Sequence, residues 1–280
     1  MINPFDPFNA LHLSGVGTFR YATLALPTAT VRRFLPHGLE LGPQPMTPPG
    51  THPVMMGFHE MFRLHTTVPS LLPSMTYHEH SVGIPYCCVA AERGIVSDPG
   101  PYFFMPAVLL DHVLATIGGM LFWGYAKQLA AIGSDNGRYT VARVNRQPLV
   151  SYTYEAVGVA RPIAEYPHFE VHRQALSQPV ISLLPLAIGP FFALAGFPKH
   201  WEVATLRPLA TVTEVFTDCL TGLSSGPYPP SGRSDGIDAS VMGSYEFQAP
   251  WQLTSPHPLP LPAPRAAHGP GADPACRTPR

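Results

Sequence analysis

The sequence predicts a mainly β domain with a few short helices, and three observations carry that prediction. The 280 residues include 35 prolines and 24 glycines, which break helices and punctuate turns. Runs of alternating or β-branched residues recur along the chain, whereas helical spacing shows in only two short stretches. The length suits one large domain, or at most two, with ample surface to bury, and no internal repeat divides it.

The elements follow in order. Residues 16–42 read as a strand (VGTFRYATLAL), a short helix (TATVRRFLP) and a turn at Pro36-His37-Gly38. Residues 54–64 and 76–92 read as strands, and Pro85 bends the second or places it at an edge. In the nearly uncharged stretch 102–132, Leu109, Leu110, Val113, Leu114, Ile117 and Leu121 recur at helical spacing. That predicts a helix of about three turns, weakened at its end by Gly118 and Gly119. WGYAKQLA then reads as extended, and residues 138–146 and 149–160 as a hairpin. Residues 179–196 fit a helix or a buried strand equally well. Residues 204–216 and 240–247 read as closing strands, with 224–235 a loop able to cover a pocket. The domain spans 1–253; from 254 to 280 eight prolines mark an expected disordered tail.

Composition excludes several function classes. Charged residues make up 12% of the chain, about half the usual share, and the net charge is −1. No basic stripe exists, so nucleic acid is not an expected partner. The amino terminus has no basic region followed by an unbroken apolar run, and the apolar segment 181–196 is short and broken by Pro185 and Pro190. The expectation is a cytoplasmic protein without a membrane partner. Cys87, Cys88, Cys219 and Cys276 lack metal spacing and are read as reduced thiols. The charge-poor surface hints at subunit contacts.

Of the 17 basic residues only two are lysines, Lys127 and Lys199. Lys127 and Asp111 are the only full charges in 102–132. A lysine in apolar surroundings pays desolvation, which favours the neutral, nucleophilic amine of Schiff-base chemistry. A general preference for arginine over lysine accounts for the scarcity equally well.

Three blocks, in order, carry a resemblance to the acetoacetate decarboxylase family. In GGMLFWGYAKQLA, Gly119, Tyr125, Lys127 and Leu129 match the family's glycine, aromatic, Schiff-base lysine and leucine, and Leu110-Asp111 precedes them. In TYHEHSVGIPY, Glu79 takes the place of an active-site glutamate, and VRRFLPHGLEL is similar to the family's early helix and Leu-Pro turn. The resemblance covers roughly residues 15–130. It implies an antiparallel β-barrel or double sheet with the lysine inside, a homo-oligomer, no cofactor, and a small keto acid as substrate.

It also implies the site: Lys127 forms the imine, Glu79 acts as acid/base or orienting group, and Arg20 binds a carboxylate. Tyr77, Tyr125, Met120, Leu121 and Gln128 contact substrate. The chain departs from the family pattern at Met120 and Leu121, which replace an arginine and a glutamate, at Ala126, which replaces a proline, and at Gln128, which replaces a second lysine. With that neighbouring ammonium gone, activation of Lys127 rests on burial alone.

The expected reaction is decarboxylation of a β-keto acid. Aldol addition or dehydration through the same imine is the near alternative, and a degenerate barrel binding an apolar molecule is the distant one. A metal reading built on His59, Glu60, His65, His78 and His80 is set aside for lack of ligand spacing. Tyr77 and Glu79 share one strand face, and His78 and His80 share the other. The segment GFPK ending at Lys199 matches the family tetrapeptide better than GYAK does, but it lacks the flanking blocks and is read as coincidence.

Overall fold

The computed structural model describes residues 12–66, 74–90, 100–135, 137–186, 189–216, 223, 225–228 and 243–259. Its frame is a closed barrel of nine strands: β1 (Leu13–Pro27), β3 (Thr51–Thr66), β4 (Met75–Val89), β5 (Tyr102–Leu110), β6 (Lys127–Asp135), β7 (Arg138–Arg143), β8 (Pro148–Ala156), β12 (Thr205–Val215) and β14 (Ser244–Leu253), which pairs back onto β1. Short strands β2 (Leu39–Leu41), β9 (Arg161–Pro162) and β13 (Gly226–Tyr228) fill edges. Strands β10 (Val180–Leu186), β11 (Gly189–Ala195) and β15 (His257–Pro258) extend the sheet beyond β5. Among the described residues three short α-helices accompany the strands: α1 (Thr28–Arg32), α2 (Val113–Trp123) and α3 (Glu170–Leu176).

The ladder is mixed, not wholly antiparallel. β5 pairs parallel with both β6 and β10. Parallel neighbours need a crossover, and α2 supplies it between β5 and β6. The expected helix of about three turns forms as α2, but Leu109 and Leu110 at the head of its pattern belong to strand β5, because apolar residues there satisfy either period, and the helix starts only after Asp111. His112 caps α2 by accepting from the Ala115 N–H at 3.3 Å. Gly124 ends it at φ 64°, a left-handed conformation that glycine adopts without strain, and the turn delivers Tyr125 and Lys127 to β6. The ambiguous segment 179–196 forms the β10–β11 hairpin.

The barrel wall has two distinct faces. Rings from opposite sides of the barrel meet inside it: Phe58 stacks on Tyr152 at 4.1 Å, and the Tyr139 hydroxyl donates to the backbone oxygens of His59 and Glu79. The outer face of β1, β3, β4 and β14 carries a second aromatic core, including Phe19, Tyr21 and Phe247, under a cover that includes Phe169 and Leu176 around α3. Both sides of this wall are buried, so its strands read as continuous apolar runs with little alternation.

Other features bear on the sequence expectations. Residues 254–259 stay on the fold: β15 pairs with β11 and Leu259 is buried. Residues 260–280 and most of 224–235 lie outside the described residues. Cys87 is a free, buried thiol, but Cys88 is disulfide-bonded, which corrects the expectation of reduced thiols throughout. Among the described residues no helix is long and apolar enough to cross a membrane. On α2, Leu114, Ile117, Leu121 and Phe122 are exposed.

Candidate active site

Strand register decides which side chains share a face. Directly paired residues point the same way, and the row Tyr21–Gly57–Ser81–Val108–Lys127 runs across β1, β3, β4, β5 and β6. The neighbouring outward row is Phe19–His59–Glu79–Leu110. Both rows face away from the barrel interior. The lysine is therefore not inside the barrel, as the resemblance implied, but in a pocket between the wall and the cover of α3, β10 and residues 196–201.

In that pocket Lys127 Nζ lies 3.3 Å from Glu79 Oε2. Both side chains are about nine-tenths buried, with 10% and 11% exposure. The ammonium also sits 6.0 Å from the centroid of the Tyr77 ring. Most of the remaining lining is apolar or aromatic, including Met61, Phe103, Met105, Val108 and Val180. The cavity measures about 60 Å³, room for roughly four to six waters. That is room for a small organic acid.

The polar groups around the pair are held in defined protonation states. Burial pushes the Tyr21, Tyr77 and Tyr125 hydroxyls well above the usual phenol range, and the Glu79 charge adds to the effect on each. All three stay protonated donors. The Tyr125 hydroxyl has no partner in the structure, although the residue is only 7% exposed and lines the cavity. Burial holds His59 neutral, with the nearby charges of Lys199 and Arg20 acting in the same direction. His59 Nε2 lies 3.0 Å from Ser81 Oγ.

Lys127, Glu79, Tyr77 and Tyr125 come together here, as the sequence grouped them. Arg20, Met120, Leu121 and Gln128 do not. Arg20 sits in the row Glu246–Arg20–Phe58 and points into the barrel, where it bonds Glu246 at 2.7 Å and Glu60 at 2.8 Å. A one-residue step along β1 reverses the face. Met120 and Leu121 lie on the exposed side of α2, and Gln128 is exposed one step beyond Lys127. The histidines of the metal reading are dispersed: His59 faces the pocket, His78 pairs with Asp111 at 2.8 Å, and His80 bonds the Gly57 carbonyl inside the wall. Among the described residues no three His, Cys, Asp or Glu side chains form a metal-binding group.

The sequence reading passed over one pocket residue of consequence. Lys199 lines the same cavity as Lys127, so the chain's only two lysines converge on one site. The signal was available in the scarcity of lysine and in GFPK. Its flanks are unlike the family's because it enters from the cover, not from the barrel.

No family model matches the sequence, and no curated protein matches it. Solved structures do. An acetoacetate decarboxylase matches with a TM-score of 0.60 at 14% identity, over 92% of this chain and 94% of the other. The acetoacetate decarboxylase of Legionella pneumophila gives 0.58 at 13%, over 93% and 92%. The enduracididine biosynthesis enzyme MppR, complexed with pyruvate, gives 0.57 at 15%, over 90% of each chain. These identities are far too low to carry an activity, but the shared architecture spans nearly the whole chain. The chain has the acetoacetate decarboxylase-like fold.

Proposed function

We propose that this protein is a Schiff-base enzyme that decarboxylates a small β-keto acid through an imine on Lys127. The observation that carries the reading is the Lys127–Glu79 pair at 3.3 Å in a small, mostly apolar cavity. Glu79 accepts a proton from the Lys127 ammonium, and the amine lone pair attacks the substrate carbonyl carbon. Protonation of the carbinolamine hydroxyl by the Glu79 carboxylic acid releases water and leaves the iminium ion. The bond to the carboxylate carbon then breaks. Its electron pair moves into the iminium to form an enamine, and carbon dioxide leaves. Protonation of the enamine carbon and hydrolysis free the ketone and restore Lys127. The dry walls favour this sequence, because loss of carbon dioxide discharges the carboxylate inside the pocket.

Aldol addition passes through the same enamine, with an aldehyde in place of the final proton. The likeness to an enzyme solved with pyruvate supports keeping that branch. The test is reductive trapping. Incubation with acetoacetate or pyruvate, followed by borohydride and peptide mapping, is expected to place one adduct on Lys127. With only two lysines the mapping is unambiguous. No adduct with any of a panel of keto acids would end the imine reading, and an adduct on Lys199 would move the nucleophile to the other amine. Carbon dioxide release from acetoacetate then separates decarboxylation from aldol addition.

A further inference from the structure

If the pocket takes a keto acid, the acid's carboxylate needs a cation, and the pocket offers few. Lys127 is committed to the carbonyl carbon and to Glu79. Arg20 is behind the wall, bound to two glutamates. His59, the pocket's one histidine, is held neutral. Lys199 remains.

We propose that Lys199 is the carboxylate-binding residue of this pocket, holding the anionic end of the substrate while Lys127 engages its carbonyl. The proposal rests on the keto-acid reading above, and its geometry is specific. Lys199 is 6% exposed and lines the cavity. Its Nζ donates to the carbonyl of Leu176, the last residue of α3, at 2.8 Å, and to the carbonyl of Phe197 at 3.1 Å. An ammonium has three N–H groups. Two are therefore fixed on backbone oxygens, and no carboxylate pairs with the nitrogen among the described residues. The Phe197 ring, 4.0 Å away, and the Trp201 ring, 5.7 Å away, wall it in. The third N–H is the one a substrate oxygen can take.

A buried cation with no anion beside it among the described residues is costly. Burial lowers Lys199 to about 7, so near neutrality the amine is poised between its two forms. The groups facing it do not offset this. From β3 comes neutral His59; from β4, Glu79 is engaged by Lys127 of β6; Tyr21, Tyr77 and Tyr125 stay protonated; β14 contributes Trp251 and the α3 side contributes Leu176 and Gln178, none of them charged. An anion entering the pocket supplies the missing partner and draws a proton onto Lys199. The carboxylate would thus be selected by the same dryness that later favours its loss.

The test uses a ligand that forms no imine, so that its outcome is independent of the Lys127 chemistry. Butyrate and its uncharged amide, butyramide, are titrated calorimetrically into the wild-type protein and into Lys199→Met. Butyrate affinity is expected to fall at least tenfold in the variant and butyramide affinity to change less than twofold. A purely structural lysine would weaken both ligands alike. In the wild type, butyrate affinity is expected to decline above pH 7, approaching about tenfold per pH unit, because Lys199 must then take up a proton to bind. Butyramide affinity is expected to stay flat. This pH arm stands even if Lys199→Met fails to fold. Equal losses for the two ligands, a flat butyrate profile between pH 7 and 9, or no butyrate binding to the wild type would each overturn the proposal. Failure of borohydride trapping with intact, Lys199-dependent butyrate binding would overturn the imine reading instead.

Discussion

Lys127 reaches Glu79 across the inner side of α2, where Gly119 leaves the necessary room. A Cβ on Gly119 would collide with Lys127 Cδ, would stand 2.5 Å from Cε and would reach within 3.0 Å of Nζ. The glycine lies in the middle of the helix, where alanine would be preferred by about 1 kcal/mol. Its retention is a cost in helix stability that keeps the lysine stem in place. Gly119→Ala is accordingly expected to leave the melting temperature unchanged or raise it, while displacing the amine. Displacements near 1 Å cost on the order of a hundredfold in rate, so the rate of the borohydride-trapped adduct should fall by about 10- to 100-fold. Unchanged trapping in a folded variant would show that Lys127 does not need that gap. Gly118, one residue earlier, has nothing within 4 Å of an added Cβ and serves as the matched control.

The wall strands perform two separate jobs on their two faces. Outward, β3, β4 and β6 carry His59, Glu79 and Lys127. Inward, β1, β3 and β14 carry Arg20, Glu60 and Glu246, and Arg207 of β12 adds a second bond to Glu246 at 2.8 Å. Arg20 lies 4.7 Å over the Tyr154 ring, and its side chain is 8% exposed. Arg20→Met leaves Glu60 and Glu246 short of a cation, a change that costs about 3–5 kcal/mol when a buried pair is broken. The expected result is a matching loss in urea-unfolding free energy with adduct formation on Lys127 kept within about threefold under folding conditions. Stability unchanged, or trapping lost in the folded variant, would mean that Arg20 serves the pocket after all. This division explains what the sequence could convey. The early strands, the α1 turn and the Lys127 and Glu79 positions were legible because local pattern or motif marks them. The face on which Arg20 sits was not, since it depends on a partner 226 residues away in β14. Nor was β5, whose wall is buried on both sides and so lacks the alternation that separates strand from helix. The parallel β5–β6 pair that delivers Lys127 is equally a non-local outcome.

The molecule buries several of its bases in neutral form, which follows from a charge-poor chain wrapped in two layers around one wall. Burial holds His52 and His59 below the usual imidazole range and lowers His80 and His172 to about 4. For each, the folded value lies below the unfolded one. The unfolded chain therefore binds protons that the fold refuses, and stability falls as pH drops through 6.5 toward 4. His80 and His172 alone set an upper scale of roughly 3 kcal/mol each over that interval. Glu60 and Asp111, held low by Arg20 and His78, add losses of the same sign as they are protonated. His78 opposes the trend: Asp111 raises it, so its contribution is complete in acid and is lost as pH rises through its folded value, but it is one half-buried group against six. From pH 7 to about 8.5 Lys199 sets the trend; above that the buried Cys87 thiol and the buried tyrosines, all raised by burial, oppose it because the unfolded chain sheds their protons first. Lowered from 10.5 to about 7, Lys199 makes the fold more stable as pH rises across that window, with a slope of at most about 1.4 kcal/mol per pH unit. Urea unfolding at pH 4.5, 6.5, 7.5 and 8.5 is thus expected to show stability climbing through the series. Lys199→Met should flatten only the part above pH 7, because the histidines remain. A stability maximum near pH 5, or an alkaline rise that survives in Lys199→Met, would mean that these bases carry their protons in the folded protein. The cover over the barrel wall would then be wetter than its packing implies.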